Sequence, residues 1–183
     1  MTDILIRYSE IGLKGNNRPM FEDQLAANIK LSLTGSKIQI IKQYKQFILK
    51  LSGGEEKLKQ IFGIAWYAPV TIVDNDENKI AEAALKLVES KKTFAVRAHH
   101  GLEVSLGEKI RTKKKINVDL DNPEQTIYVS AGKNQTLVFN QKNPGPGGLP
   151  VGTSGKVLCL LSGGFDSVAA AYLLAKRGDR YPV

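Results

Sequence analysis

Several kinds of chemistry are closed to this chain by what it lacks. One cysteine among 183 residues, Cys159, excludes an intrachain disulfide and a zinc site of the CxxC type. Histidine occurs only as His99 and His100, both upstream of the most distinctive loop, so a triad ordered with a downstream histidine is excluded. No apolar run approaches the roughly 18 residues of a membrane span. The first residues enter a strand pattern directly, so no signal peptide is read and a cytoplasmic location is expected. Acidic residues are in deficit: 26 Lys and Arg against 18 Asp and Glu leave a net charge of +8. That balance favours a polyanionic partner such as nucleic acid, the plain alternative being a merely basic protein. At 42% hydrophobic and 24% charged, the composition is otherwise that of an ordinary globular chain.

What is present is concentrated near the C-terminus, in VLCLLSGGFDSVAAAYLLAKRG from Val157 to Gly178. Val157 to Leu161 form an unbroken apolar run, which predicts a strand covered on both faces, with Cys159 an inert buried thiol inside it. Ser162, Gly163 and Gly164 predict a tight turn, and the alanine- and leucine-rich run from Val168 to Ala175 predicts a helix. Asp166 and Ser167 suit its first turn and Gly178 its C-terminal cap. Glycines between a strand and a helix start let an anion approach unpaired N–H groups carrying roughly half a positive charge. The lysine of a Walker loop is absent, as are the three spaced glycines of a dinucleotide fingerprint. A nucleophile elbow would need glycine where Leu160 stands. A simple Gly-Gly turn is the bland alternative.

In chain order, residues 1–73 predict βαββαβ, a ferredoxin-like plan. Ile4 to Tyr8 read as a strand, and a helix from Pro19 carries Phe21, Leu25, Ile29 and Leu33 at helical spacing. Lys37 to Ile41 and Gln46 to Leu51 read as a hairpin, Glu55 to Phe62 as a short helix, and Pro69 to Val73 as a last strand. Lys14, Asn16, Asn17 and Arg18 cluster in the first loop, where Lys14 and Arg18 could meet phosphates or simply face solvent. In residues 74–142, Asn78 to Ser90 predict an amphipathic helix and Thr93 to Ala98 a strand. Thr126 to Ser130 and Thr136 to Asn140 predict a hairpin. Between them lies a basic run with Lys109, Arg111, Lys113, Lys114 and Lys115, either an RNA-facing surface or a solvated helix face. Residues 143–155, NPGPGGLPVGTSG, predict an extended Pro/Gly linker tethering the nucleotide loop.

The letters SGGFDS resemble the S-G-G-x-D-S signature of the PP-loop ATP pyrophosphatases. With ILIRYSEIGLKGNNRPMFE (Ile4 to Glu22), FAVRA (Phe94 to Ala98), VDLDNPE (Val118 to Glu124) and GPGGLPVGTSGKVLCLLSGGFDS (Gly145 to Ser167), the chain resembles the tRNA 4-thiouridine synthase family, ThiI, along nearly its whole length. That resemblance implies an α+β ferredoxin-like domain, an α/β THUMP domain at residues 74–142, and, at residues 156–183, the first βα unit of an α/β PP-loop domain. It implies an ATP-dependent tRNA sulfurtransferase that adenylates the uridine at position 8, with ATP and Mg2+ required and no separate metal-ligand cluster. Ser162, Gly163, Gly164 and Ser167 would cradle phosphate, Asp166 would act on the metal-bound phosphates, and Leu160 with Leu161 would line the nucleotide. Arg97, within FAVRA, would join the RNA-facing set. Sulfur would come from a persulfide donor such as a cysteine desulfurase, by way of a downstream cysteine whose position Cys159 does not occupy.

These readings make the chain a piece of such an enzyme, ending at Tyr181 to Val183 in the opening of a second strand, and inactive by itself. No membrane is expected among its partners, and a homodimer and a role in thiamine biosynthesis are left open. The rival readings are a stand-alone RNA-binding module and a different PP-loop enzyme acting on a small substrate. The second leaves the first 140 or so residues unexplained.

Overall fold

The computed structural model describes residues 1–98 and 101–180. His99 and His100, and Tyr181 to Val183 where a second strand is expected to open, lie outside the described residues. In chain order the elements are β1 (Thr2–Arg7), α1 (Arg18–Ser32), β2 (Ile38–Gln43), β3 (Gln46–Leu51), β4 (Trp66–Pro69), β5 (Thr71–Asp74), α2 (Glu77–Leu87) and β6 (Phe94–Arg97). They continue with α3 (Leu102–Lys114), β7 (Gln125–Ala131), β8 (Gln135–Phe139), β9 (Asn143–Pro144), β10 (Gly155–Lys156), α4 (Phe165–Lys176) and β11 (Asp179–Arg180). Two compact units result: Met1–Tyr67 together with the segment from Asn143 onward, and Ala68–Lys142.

The first unit is built on a five-stranded sheet of order β2-β3-β1-β4-β9, whose first four strands have the ferredoxin-like arrangement. β1 runs antiparallel to β3 from Thr2↔Leu51 to Arg7↔Gln46, and β2 pairs antiparallel with the same strand. Pro19 opens α1, where its missing N–H costs nothing. The helix lays Phe21, Leu25 and Ile29 on Ile4, Ile6, Phe47 and Leu49, all in one buried cluster. The expected helix over Glu55 to Phe62 is instead a 3-10 helix, Glu55–Gln60. Six residues after Gly53 and Gly54, both at positive φ, are too few for α-helical hydrogen bonding to become favourable. The single expected strand Pro69 to Val73 is also two: Trp66–Pro69 belongs to this sheet and Thr71–Asp74 to the next. Pro69 has no N–H with which to continue the first ladder.

The Pro/Gly segment is not an extended tether. Asn143–Pro144 pairs with Trp66 and Tyr67 as the edge strand, and Leu149 is buried in the first core. Gly145 N donates to Ala65 O (2.9 Å), Gly147 N to Ile64 O (2.8 Å), and Gly63 N to Gly147 O (2.8 Å). A Cβ at Gly145 would stand 2.3 Å from the Ile64 carbonyl oxygen, so glycine permits this backbone-to-backbone approach. Composition underrated the segment because main chain, rather than side chains, does the docking.

The second unit is a four-stranded sheet of order β5-β8-β7-β6, mostly antiparallel with β6 parallel to β7. α2 and α3 pack on it through Ile80, Ala84, Leu106 and Ile110 against Phe94, Val96, Ile127, Val129 and Val138. Asp76 caps α2 by accepting from Lys79 N at 2.9 Å. Among the described residues, no helix is long and apolar enough to cross a membrane.

The expected strand from Val157 to Leu161 does not form. Only Gly155 and Lys156 are extended in a ladder, parallel to Asp179 and Arg180. Leu158, Leu160 and Leu161 are 80%, 85% and 67% exposed, and Cys159 is half-buried rather than inert in a core. An apolar run becomes a buried strand only where strands flank it and layers cover it; Val157 N still donates to Arg180 O (2.9 Å), but no described strand pairs with residues 158–161.

Candidate nucleotide loop and nucleic-acid surface

α4 begins at Phe165 after Gly164, which is extended (φ −90°, ψ 153°) and leaves the helix start without a side-chain cap. Two serines tie the loop to itself. The Ser167 hydroxyl donates to Gly164 O (2.9 Å) and accepts from Ser162 N (3.2 Å), while Ser162 Oγ accepts from Gly164 N (3.2 Å). A Cβ on Gly163 would meet nothing within 4 Å, so the space over the loop is open. Asp166 sits exposed in the first turn, at the second helical position rather than at the cap. An uncapped helix start with an open, hydroxyl-lined glycine turn in front of it fits an anion such as a nucleotide phosphate. No group of three or more His, Cys, Asp or Glu among the described residues could hold a metal ion by itself. A divalent ion here would take its ligands largely from phosphate oxygens, with Asp166 beside them. Leu160 and Leu161 precede the loop and point no closed pocket at it, being exposed.

The far end of α4 is held firmly. Three successive amides, Gly152 N, Thr153 N and Ser154 N, donate to Gly178 O at 2.8, 3.0 and 3.1 Å. Leu149 N donates to Lys176 O (2.9 Å), and Ser154 Oγ donates to Arg177 O (2.6 Å). The Arg177 guanidinium reaches Glu10 at 3.2 Å, and the Tyr172 ring meets Phe62 edge-on at 5.0 Å. The glycine loop is thus presented by a helix moored at its C-terminus on the ferredoxin-like unit.

The basic residues fall into two groups. In the second unit, Lys109 is paired with Glu77 (2.8 Å) and Arg111 with Glu108 (2.7 Å), and each acid is held below the usual carboxylate range chiefly by the hydrogen bond from its partner. Arg97 donates to Leu120 O at 2.6 Å. Lys115 ends α3 in the left-handed region at φ 53°. Among the described residues Lys113 and Lys114 have no carboxylate partner, and with Lys86, Leu85 and Glu82 they line a shallow cleft of about 420 Å³ between α2 and α3. In the first unit, Lys14 lies over the Phe21 ring at 4.9 Å. Arg18 is fixed by Glu22 (3.4 Å) and lies 5.0 Å from the centre of the Tyr44 ring, with Lys45 Nζ 5.1 Å from the same ring. Hydrogen bonds from Lys45, then from Arg18, lower the pKa of the Tyr44 hydroxyl.

Comparison with known proteins gives these sites a family. Residues 3–68 match the family described as ThiI ferredoxin-like domain, and residues 152–182 that described as Thiamine biosynthesis protein (ThiI). Both ends of the chain thus match ThiI families. A curated relative, the probable tRNA sulfurtransferase of Mycoplasmopsis agalactiae, is 40% identical over 96% of this chain and 49% of its own length. That of Moorella thermoacetica is 35% identical over 97% and 50%. The chain therefore spans about half the length of the curated relatives it matches. A crystal structure of a 4-thiouridine synthetase–RNA complex with bound ATP superposes with a TM-score of 0.82 at 33% identity, over 99% of this chain and 51% of that one. A crystal structure of a Pyrococcus horikoshii Ot3 protein gives 0.87 at 27% identity, over 99% and 67%. Sequence reasoning missed Lys86, which joins the lysine cleft only through the packing of α2 on α3, and Tyr44 with Lys45, which the pattern marked merely as a turn.

Proposed function

We propose that this chain is the RNA-binding part and ATP loop of a tRNA sulfurtransferase that converts the uridine at position 8 of tRNA to 4-thiouridine. The observation that carries the reading is the coexistence, in one chain, of an uncapped SGGFDS helix start and a cleft whose Lys86, Lys113 and Lys114 are not neutralised by pairing among the described residues. ATP is the co-substrate, with magnesium accompanying its phosphates. A carbonyl oxygen is a poor leaving group, and joining it to AMP makes displacement by sulfur feasible, while donors at the loop stabilise the departing pyrophosphate. Ser162, Gly163, Gly164 and Ser167 orient the phosphates and Asp166 faces the metal-bound end. Residues 68–142 serve as the THUMP unit, a persulfide donor such as a cysteine desulfurase supplies sulfur, and the reaction belongs in the cytoplasm.

The test is tRNA affinity as a function of salt. Binding should weaken steeply as salt rises, and Lys113→Ala with Lys114→Ala should both lower affinity and flatten the log K against log salt slope by roughly 0.7 to 0.9 per lost contact. Affinity independent of salt, or no binding of tRNA, removes the reading.

A further inference from the structure

At the β2–β3 tip the chain turns through Tyr44 and Lys45, between the closing pair Gln43↔Gln46. A two-residue turn is best served by residues such as Asn-Gly, since positive φ is costly for side chains with a Cβ. Here Lys45 holds φ 59° and Tyr44 leaves 70% of its surface in water. Neither choice helps the turn, and the exposed ring adds little to the core. The ring is nevertheless held in place. Arg18, beside it at 5.0 Å, is ion-paired with Glu22 at 3.4 Å, and Glu22 also accepts the hydroxyl of the buried Tyr8. Lys45, 5.1 Å from the ring and hydrogen-bonded to the Tyr44 hydroxyl, has no carboxylate partner among the described residues, so its charge is available to a phosphate beside the ring.

An exposed, pre-positioned aromatic ring flanked by cations is the arrangement that stacks an unpaired base while neutralising its backbone. Resting on the RNA-binding reading above, we infer that Tyr44, Arg18 and Lys45 form a second RNA contact, on the ferredoxin-like unit, for an unpaired nucleotide: its base stacks on Tyr44 and its flanking phosphate is met by Lys45. The patch suits RNA better than an apolar protein partner, because it offers one ring and two cations rather than a continuous apolar surface.

The experiment uses the 183-residue chain and a tRNA transcript, with Tyr44→Ala, Tyr44→Phe, Lys45→Ala and the Lys113→Ala, Lys114→Ala pair measured over a salt series. Tyr44 is exposed, so circular dichroism should show all variants folded. Tyr44→Ala is expected to bind roughly 5- to 100-fold more weakly with its salt slope unchanged. Tyr44→Phe should retain affinity, and Lys45→Ala should lose affinity together with about 0.7 of slope. Unchanged binding by Tyr44→Ala, or a loss equal in Tyr44→Phe, overturns the inference. If the lysine pair matters and Tyr44 does not, the inference falls and the RNA-binding reading stands; if the unaltered chain binds no tRNA, both fall.

Discussion

Tyr8 illustrates how much a single side chain takes from its surroundings. Burial first, then the hydrogen bond it donates to Glu22 and the charge of that carboxylate, push its hydroxyl well above the usual phenol range. A group whose folded pKa is raised contributes stability that is complete below the unfolded pKa of about 10 and is lost as pH rises towards the folded value. The denaturation midpoint should therefore decline above about pH 10 more steeply for the native chain than for Tyr8→Phe, and parallel declines would show that Tyr8 is not the source. Nothing in ILIRYSE announces this pair, because Glu22 is a full turn inside α1 and meets Tyr8 only when the helix packs on the sheet. The place of Asp166 in the first turn of α4 was legible from the letters, and the structure keeps it there. The extended backbone at Gly164 takes the cap position and leaves the carboxylate two residues inside the helix.

Among elements, the junction of the Pro/Gly segment with the end of α4 is the most sensitive. Gly148 has φ 74°, and a Cβ there would lie 2.2 Å from Lys176 O, a rigid main-chain atom. Gly148→Ala should destabilise the junction by more than the roughly 1–2 kcal/mol of a left-handed alanine alone. Hydrogen exchange should report it as faster exchange across Phe165–Lys176 with β1 and β3 unaffected, and uniform protection would argue against the mooring. The two hairpins and the helices α1 and α2 were readable from periodicity, whereas α3 was marked only as a basic run. What periodicity misread were places where main chain decides: the 3-10 helix Glu55–Gln60, the break at Val70, and the docked Pro/Gly segment.

For the molecule as a whole, the apolar residues around the loop are the telling feature. Leu158, Leu160, Leu161, Phe165, Val168 and Leu173 are each at least 60% exposed, so the described residues do not enclose a nucleotide. These 183 residues supplied with ATP, magnesium, a persulfide and tRNA carrying unmodified uridine at position 8 are expected to form no detectable 4-thiouridine. Formation of the thionucleoside, read by its absorbance after nuclease digestion, would show that the open loop suffices and would require a sulfur-handling role for Cys159. The sequence by itself determined the net charge, the two α/β patterns, the exclusion of an intrachain disulfide and the SGGFDS loop, since each of these rests on composition or on residues adjacent in the chain. Only the tertiary structure decided which cations stay unpaired, which of the apolar runs is covered, and that residues 143–156 fold back onto the first unit, because each of those depends on neighbours far away in sequence.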